Sequence, residues 1–537
     1  VVDMCPDRAD ARLSLGMVTA GIGAIWAHVD YAGLVVSARD ILGALALGVA
    51  STVAAAAAPT VAAARMRVLD HLRSSDALVD APHVASVRTL APGILLTLVA
   101  FALLYSGLRP EGFSAKIALI MGSVVLAALG YTMLIPLITA LLIEPVAALG
   151  RRFAGPTTVL ATENIARDPT RMRGTIAALM VAFAMVLIVS AFIHSMRTSI
   201  LSWVDQTLAA DLQVSPTAQL PLPSSPTLSG ALEARLRAIP GVAEISPSRM
   251  INARIGDTLA VLRTESAGGF ARQHYPLVAG DAATLQQRFA QGDVLVSDNF
   301  AYRHGVRAGD SLTLDTPSGE ATFSVAAVVL DYTLDIGTII IERETYRRFW
   351  HDDLVNSFRL WLAPGADVTR VRQAISDAAR PEFSPVVLTA AEYKQNIAGA
   401  LDDALLMTYA IQLVAIAIAV IGVVNFFLAE IVDRRREIGL LRSVALKPRQ
   451  VLRMLATEAG VIGAIGGIVA ILYAWPIAHA LITRSTRLVS GWGLTFVFPY
   501  GLALVTIAVA AATSILAALY PARTTAATRV ADLVMVE

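Results

Sequence analysis

Charge is scarce in this chain and cysteine is almost absent. Only 16% of its 537 residues are Asp, Glu, Lys or Arg, against roughly a quarter in a soluble domain. That deficit excludes a chain whose whole surface faces water. Net charge is +1, so no bulk field selects nucleic acid as a partner. The single cysteine, Cys5, excludes an internal disulfide. It sits in Asp3-Met4-Cys5-Pro6 with no apolar run before it, which argues against a lipoprotein signal. No basic-then-apolar signal peptide precedes the first hydrophobic run. No Gly-x-x-x-x-Gly-Lys-Ser/Thr occurs, so the chain has no phosphate cradle of the Walker type. Its 8 histidines are scattered, and none stands at metal-ligand spacing from another His or Cys. No nucleophile, base and orienting acid fall into a catalytic pattern.

What the chain has in excess is apolar sequence. Hydrophobic residues make up 56% of it and the mean hydropathy is +0.63. Several runs exceed the roughly 18 residues that mark a spanning helix. About eight candidate spans fall near 12–28, 40–58, 91–108, 115–143, 174–195, 403–428, 457–482 and 499–520. The first and third are short enough to be re-entrant or buried helices instead. Lys and Arg crowd three connections: Arg65 to Arg88, Arg151 to Arg173, and Arg434 to Arg453. The connections near 29–39, 109–114 and 483–498 carry few. Positive charge concentrates in cytoplasmic loops, so the basic connections and both termini are predicted to be cytoplasmic. Eight spans satisfy this alternation without conflict.

Residues from about 200 to 400 form the large non-membrane block, predicted on the outer side. Its patterns are those of a folded α+β domain. Leu232 to Ile239 is amphipathic at helical spacing and ends at Pro240-Gly241. Val294–Ser297, Ser311–Leu314 and Ala321–Val325 have strand character, with turns at Gly309-Asp310 and Ser318-Gly319. A helix over Val368 to Ala379 and a strand over Val386 to Thr389 follow. From Ala390 a single long helix is predicted to run into the sixth span, a stiff link between outer domain and membrane. Gln213 to Gly230, rich in Pro and Ser, reads as a loop or hinge. Gly463, Gly466 and Gly467 predict close helix packing in the seventh span. His194 and His479 lie near span ends, where interfacial placement is expected. Glu458, at the cytoplasmic start of the seventh span, is expected to contact neighbouring helix ends. A weak internal echo links Pro59 and Pro521, each followed by a small-residue basic segment.

The most informative stretch follows the sixth span: Arg434-Arg-Arg-Glu437-Ile438-Gly439-Leu440-Leu441-Arg442-Ser-Val-Ala-Leu446-Lys447. Ile438, Leu441 and Val444 stand at nearly helical spacing, an apolar face on a short surface helix. Gly439 permits close approach, and Glu437 and Arg442 can make charge-assisted bonds at a rim. This order resembles the signature of the FtsX/MacB-like ABC transporter permease family. Three further segments resemble that family: Asn164 to Arg171 before the fifth span, Val294 to Asp310 in the outer block, and the closing Pro521-Ala-Arg523.

The resemblance implies an α-helical polytopic membrane protein of about eight spans with one extracytoplasmic α+β domain. It implies that Arg436, Glu437, Ile438, Gly439, Leu441 and Arg442 sit at the contact with a cytoplasmic ABC ATPase dimer. ATP would then be held by that partner, with no cofactor and no catalysis on this chain. On this reading residues 1–73 are the last two spans of an incomplete first permease unit and 74–150 a two-span spacer. Residues 151–203 are the surface helix and first span of a second unit, 204–398 the outer domain, and 399–537 a three-span domain with the coupling helix. A duplicated, ten-span member would carry an earlier coupling segment, and no Glu-Ile-Gly-type segment precedes the first span. The expectation is therefore a duplicated permease lacking its N-terminal part, completed by a second permease half or a second copy. A periplasmic or extracellular partner is also implied. The function implied is export or release of a lipid, lipoprotein, peptide or drug at the cell membrane. The alternatives are a non-transporting signal transmitter controlling an envelope enzyme or sensor, and a structural membrane protein whose ATPase contact has decayed.

Overall fold

Six long helices lie where six of the apolar segments predict them. The computed structural model describes residues 87–153, 165, 173–218, 221–255, 258–380, 385–433 and 448–527, with scattered positions between 42 and 53. The long helices are α1 (Val87–Tyr105), α2 (Phe113–Phe153), α3 (Arg173–Thr207), α4 (Ala390–Asp433), α5 (Pro448–Ala480) and α6 (Tyr500–Ala527). The segment near 12–28 lies outside the described residues, as does most of 40–58.

Among the described residues, four segments are long and apolar enough to cross a membrane: Phe113–Pro145, Arg173–Thr207, Arg449–Ser490 and Tyr500–Leu519. A fifth forms if Ala390–Leu406 and Thr408–Gly422, bent by 40°, are taken as one span. The predicted stiff helix is thus one continuous element with a bend, and no Pro or Gly sits at that bend. The apolar part of α1 is the shorter stretch Leu90–Tyr105. At 1.5 Å per residue it reaches only about 24 Å, short of the roughly 30 Å hydrocarbon core. Large side chains on these helices face outward, among them Leu141, Leu413, Leu504 and Leu516, each two-thirds or more exposed. Such a belt is stable only against lipid or protein.

Small residues set the helix spacing. A Cβ on Gly463 would lie 2.4 Å from the Ala510 carbonyl oxygen, and one on Gly466 2.8 Å from Leu179. α5 therefore packs tightly between α6 and α3, as its glycines predict. Thr97, Ser123, Thr132, Thr506 and Thr513 return their hydroxyls to carbonyls one turn back, which satisfies these five donors within their own helices.

The outer domain holds two sheets. The first has the order β11-β1-β10-β2, with β1 Leu212–Ser215, β2 Val242–Ser248, β10 Ser357–Leu362 and β11 Val386–Thr389. The second is built on β3-β4-β9-β6-β8-β5, with β7 paired to β8. Its strands are β3 Met250–Ile255, β4 Thr258–Glu265, β5 Leu277–Gly280, β6 Val294–Ser297, β7 Ser311–Thr316, β8 Gly319–Val329 and β9 Thr338–Glu342. Leu212, Ile245, Phe358 and Leu360 are fully buried under the first sheet's helices Leu232–Arg237 and Val368–Ala379. Val294, Val325, Ile339 and Tyr346 fill the core of the second.

The segment read as a loop from Gln213 starts later than predicted. Gln213 and Val214 belong to β1, an interior strand buried along its whole length. Four residues buried on both faces carry no alternation, so periodicity could not separate them from the Pro- and Ser-rich stretch that follows.

Candidate functional site

The predicted ATPase contact, Arg436, Glu437, Ile438, Gly439, Leu441 and Arg442, lies outside the described residues. Its flanks are described: Asp433 ends α4 and Pro448 begins α5. α4 starts at the outer domain, runs for 44 residues, about 65 Å at full helical rise, and ends at Asp433. The functional geometry that is visible is the joint at the near end.

Backbone forms the first part of this joint. α3 ends at Thr207 and the chain enters β1 at Leu212; β11 ends at Thr389 and the chain enters α4 at Ala390. β1 and β11 are neighbours, paired antiparallel from Leu212↔Thr389 to Ser215↔Val386. Two membrane helices therefore continue into two hydrogen-bonded strands. The start of α4 is fixed by a reciprocal cap. The Thr389 backbone N–H donates to Glu392 at 2.8 Å, and the Glu392 N–H donates to the Thr389 hydroxyl at 3.2 Å. Thr389-Ala-Ala-Glu392 was legible as a capping box, and the sequence reading missed it. Across the helix pair, Lys394 meets Asp205 at 2.5 Å and Arg197 meets Asp402 at 3.0 Å. Deeper in the bundle, Gln412 donates to the Ser190 hydroxyl at 2.7 Å.

Side chains form the second part. After α5 the chain continues through helical turns to Ser490 and then extends to Pro499. This extended strap lies along α3. The Ser199 hydroxyl accepts from the Thr495 N–H at 3.0 Å, and the Ser195 hydroxyl accepts from the Val497 N–H at 2.9 Å. The strap also touches the outer domain. Tyr332 donates to the Gly493 carbonyl at 2.6 Å, Arg303 to the Ser490 carbonyl at 3.0 Å, and Arg487 to Asp298 at 2.7 Å. Tyr332 stands edge-on between Trp203 of α3 and Trp492 of the strap, 6.0 and 5.7 Å away. Trp203 donates its indole N–H to the Leu330 carbonyl at 2.9 Å. Gly491, at φ +82, leaves no room for a side chain: a Cβ there would sit 2.9 Å from that of Asn299. These residues are distant in sequence and carry no local signature.

The two sheets meet over a buried ionic cluster. Glu265 is sealed from solvent and accepts from Arg359, Ser246 and Tyr275. Burial disfavours the Arg359 charge, but the Glu265 carboxylate beside it overrides this and holds its pKa above the ordinary value. Burial and the same carboxylate push the Tyr275 phenol up. Arg263, also buried, pairs with Asp331 at 3.2 Å. A cavity of about 80 Å³ lies between this cluster and the outer ends of α3 and α4, lined by Trp203, Thr207, Tyr275, Arg359, Tyr393 and Ile397 among others. The Glu265 and Asp331 carboxylates are each paired with an arginine, and the Glu265–Arg359 pair ties the two sheets together.

His479 lies among aromatic side chains at the same end of the bundle. Its ring nitrogen is 2.7 Å from the Tyr105 hydroxyl, and it stacks on Trp475 and meets Phe496 edge-on. Glu458 is buried within α5 at 4% exposure. No group of three or more His, Cys, Asp or Glu placed to hold a metal ion occurs among the described residues.

Comparison with known proteins gives two family matches in chain order. The MacB-like periplasmic core domain model matches residues 174–378. The FtsX-like permease C-terminal model matches residues 409–529, a range that includes Arg436 to Arg442. An uncharacterized ABC transporter permease of Mycobacterium tuberculosis is 28% identical over 527 residues, 95% of this chain; the chain spans 59% of that relative's length. An uncharacterized ABC transporter permease of Bacillus subtilis is 29% identical over 111 residues, 21% of this chain and 27% of its own. The periplasmic region of MacB from Actinobacillus actinomycetemcomitans aligns at 12% identity with a TM-score of 0.27, over 36% of this chain and 95% of that one. Apolar helices, a periplasmic-type α+β domain and both family matches agree with the sequence signature: this chain belongs to the FtsX/MacB-like family of ABC transporter permeases.

Proposed function

We propose that this chain is the permease subunit that couples ATP hydrolysis by a separate cytoplasmic ATPase dimer to motion of its outer domain, for export or release of a lipid, lipoprotein, peptide or drug. The observation that carries this reading is the continuity of α3 and α4 with the paired strands β1 and β11. A displacement of those helices is delivered to a sheet through short connections: Thr389 and Ala390 are consecutive, and four residues separate Thr207 from Leu212. Glu437, Ile438, Gly439, Leu441 and Arg442 are the proposed grip for the ATPase, with Arg436 at its start. ATPase dimers present two such contacts, so a second permease half or a second copy completes the assembly.

Gly439→Trp tests the grip. It is expected to abolish co-purification of the ATPase while membrane insertion is unchanged, as read by carbonate-resistant membrane recovery. Undiminished ATPase association would remove the coupling assignment. In proteoliposomes, stimulation of the ATPase by a transported amphiphile favours transport. Stimulation only by an envelope enzyme or sensor partner favours signal transmission.

A further inference from the structure

We propose that the cleft between the outer ends of α1, α2 and α5 and the outer-domain helix Asp298–His304 binds the phosphate of an anionic phospholipid from the outer leaflet. This inference stands whether or not a nucleotide-driven motor acts on the chain. Two abutting cavities occupy the cleft, of about 350 and 420 Å³, and both are lined by Arg109, Tyr302 and Leu488. Lys116, Arg303, Arg484 and Arg487 add four more cations, against the single acid Glu111 in the lining. Arg487 is engaged by Asp298, and Arg303 by the Ser490 carbonyl. Arg109, Lys116 and Arg484 form no ion pair among the described residues.

Aromatic rings hold the guanidinium groups in place. Arg109 and Arg487 both lie against the Tyr302 ring, 4.3 and 5.1 Å from its centre, and Arg484 lies 5.5 Å from that of Tyr105. Like charges gathered at one edge of an apolar bundle repel one another, and the repulsion is weakly screened there. Positive charge is also selected against on the outer side of short membrane connections. A cluster kept in spite of both tendencies is explained by an anion between its members. Guanidinium forks match phosphate oxygens bidentately.

The floor of the cleft decides between a dissolved ion and a lipid. Leu104, Leu119 and Ile120 line the cleft, and beside them Leu108, Phe113 and Met121 stand exposed at the ends of α1 and α2. A phosphate seated on the arginines would leave acyl chains to run down that wall. Burial of those chains adds affinity that a free anion cannot gain.

The test uses the full chain in mild detergent, with lipid retention read by native mass spectrometry. Phosphatidylglycerol, phosphatidylcholine and inorganic phosphate are the probes. Wild type is expected to retain phosphatidylglycerol in preference to phosphatidylcholine. Arg109→Gln/Lys116→Gln/Arg484→Gln is expected to weaken that retention by tenfold or more, since each cation beside an anionic lipid contributes roughly fivefold. Arg109→Lys/Arg484→Lys, which keeps the charge, should retain the preference. If the triple variant does not elute as a folded monodisperse species, the single variants Arg109→Gln and Arg484→Gln decide the point, each expected to lower retention about fivefold. No preference in wild type, or an unchanged one in the variants, overturns the site. Displacement of the lipid by low concentrations of inorganic phosphate identifies a free-anion site and overturns the lipid assignment.

Discussion

With its carboxylate sealed from solvent, Glu265 accepts from Arg359, Ser246 and Tyr275 at the seam between the two sheets. An arginine cannot shed its proton, so removing the carboxylate strands a buried charge. Glu265→Gln is expected to cost about 3–5 kcal/mol, read as faster amide exchange across β2 and β10 in the intact chain. Replacing both partners by apolar residues, as in Glu265→Leu/Arg359→Met, should recover much of that loss. A double variant as unstable as the single one would show that the pair does more than satisfy itself. Asp352 provides a pH test nearby. Burial raises its pKa, but hydrogen bonds from Tyr346 at 2.7 Å and Arg249 at 2.9 Å outweigh burial and hold it below the ordinary aspartate value. A carboxylate with a lowered folded pKa stabilises above its unfolded pKa, and the stabilisation is lost as pH falls through the folded one. Residues 343–356 should therefore loosen as pH drops through and below about 4, after correction for intrinsic exchange rates. Asp352→Asn should already be loose at neutral pH and show a flatter acid limb.

At the scale of elements, the first turn of α4 depends on the Thr389–Glu392 box. Thr389→Ala is expected to cost about 1 kcal/mol, with faster exchange confined to residues 390–395. Equal loosening along all of α4 would show that the helix is held by one cooperative unit instead. Much of the element order was legible because it rests on local patterns. The apolar runs gave α2, α3, α5 and α6, and Gly463 and Gly466 announced the close crossings of α5. Val294–Ser297, Val368–Ala379 and Val386–Thr389 fell where strand or helix patterning put them. The interior strand β1 did not, because full burial removes alternation. The 40° bend in α4 had no signal either, since neither Pro nor Gly marks it. Nor did the strap: Ser195, Asn299, Tyr332 and Trp492 come from four separate segments, and only folding brings them together. The family signature at Glu437 to Arg442 was legible for a different reason: it is a fixed order of residue types and does not depend on periodicity.

Viewed as a whole molecule, the outer domain has two kinds of attachment. It is joined covalently to α3 and α4, whose strands β1 and β11 are hydrogen-bonded to each other. Among the described residues it meets the segment between α5 and α6 through non-covalent contacts, among them Asp298–Arg487, Arg303–Ser490 and Tyr332–Gly493. The second attachment, partly buried at Asp298, Tyr332 and Trp492, is made of non-covalent contacts, so it can open while the first cannot. Under the proposed function, the outer domain moves with α3 and α4 and parts from the strap at these contacts. Paired cysteines test this, and Cys5→Ser leaves no competing thiol in the chain. A short bifunctional thiol reagent joining cysteines at 205 and 394, where Asp205 and Lys394 now meet, locks helices that already move as one. Amphiphile-stimulated ATPase activity of the reconstituted assembly should survive it. The same reagent joining cysteines at 298 and 487 ties the outer domain to the strap, and stimulation should fall to the basal rate and return on reductive release. Loss of stimulation with the 205–394 link would mean that α3 and α4 must shear past each other, and strand continuity would then not be the route by which motion reaches the outer domain.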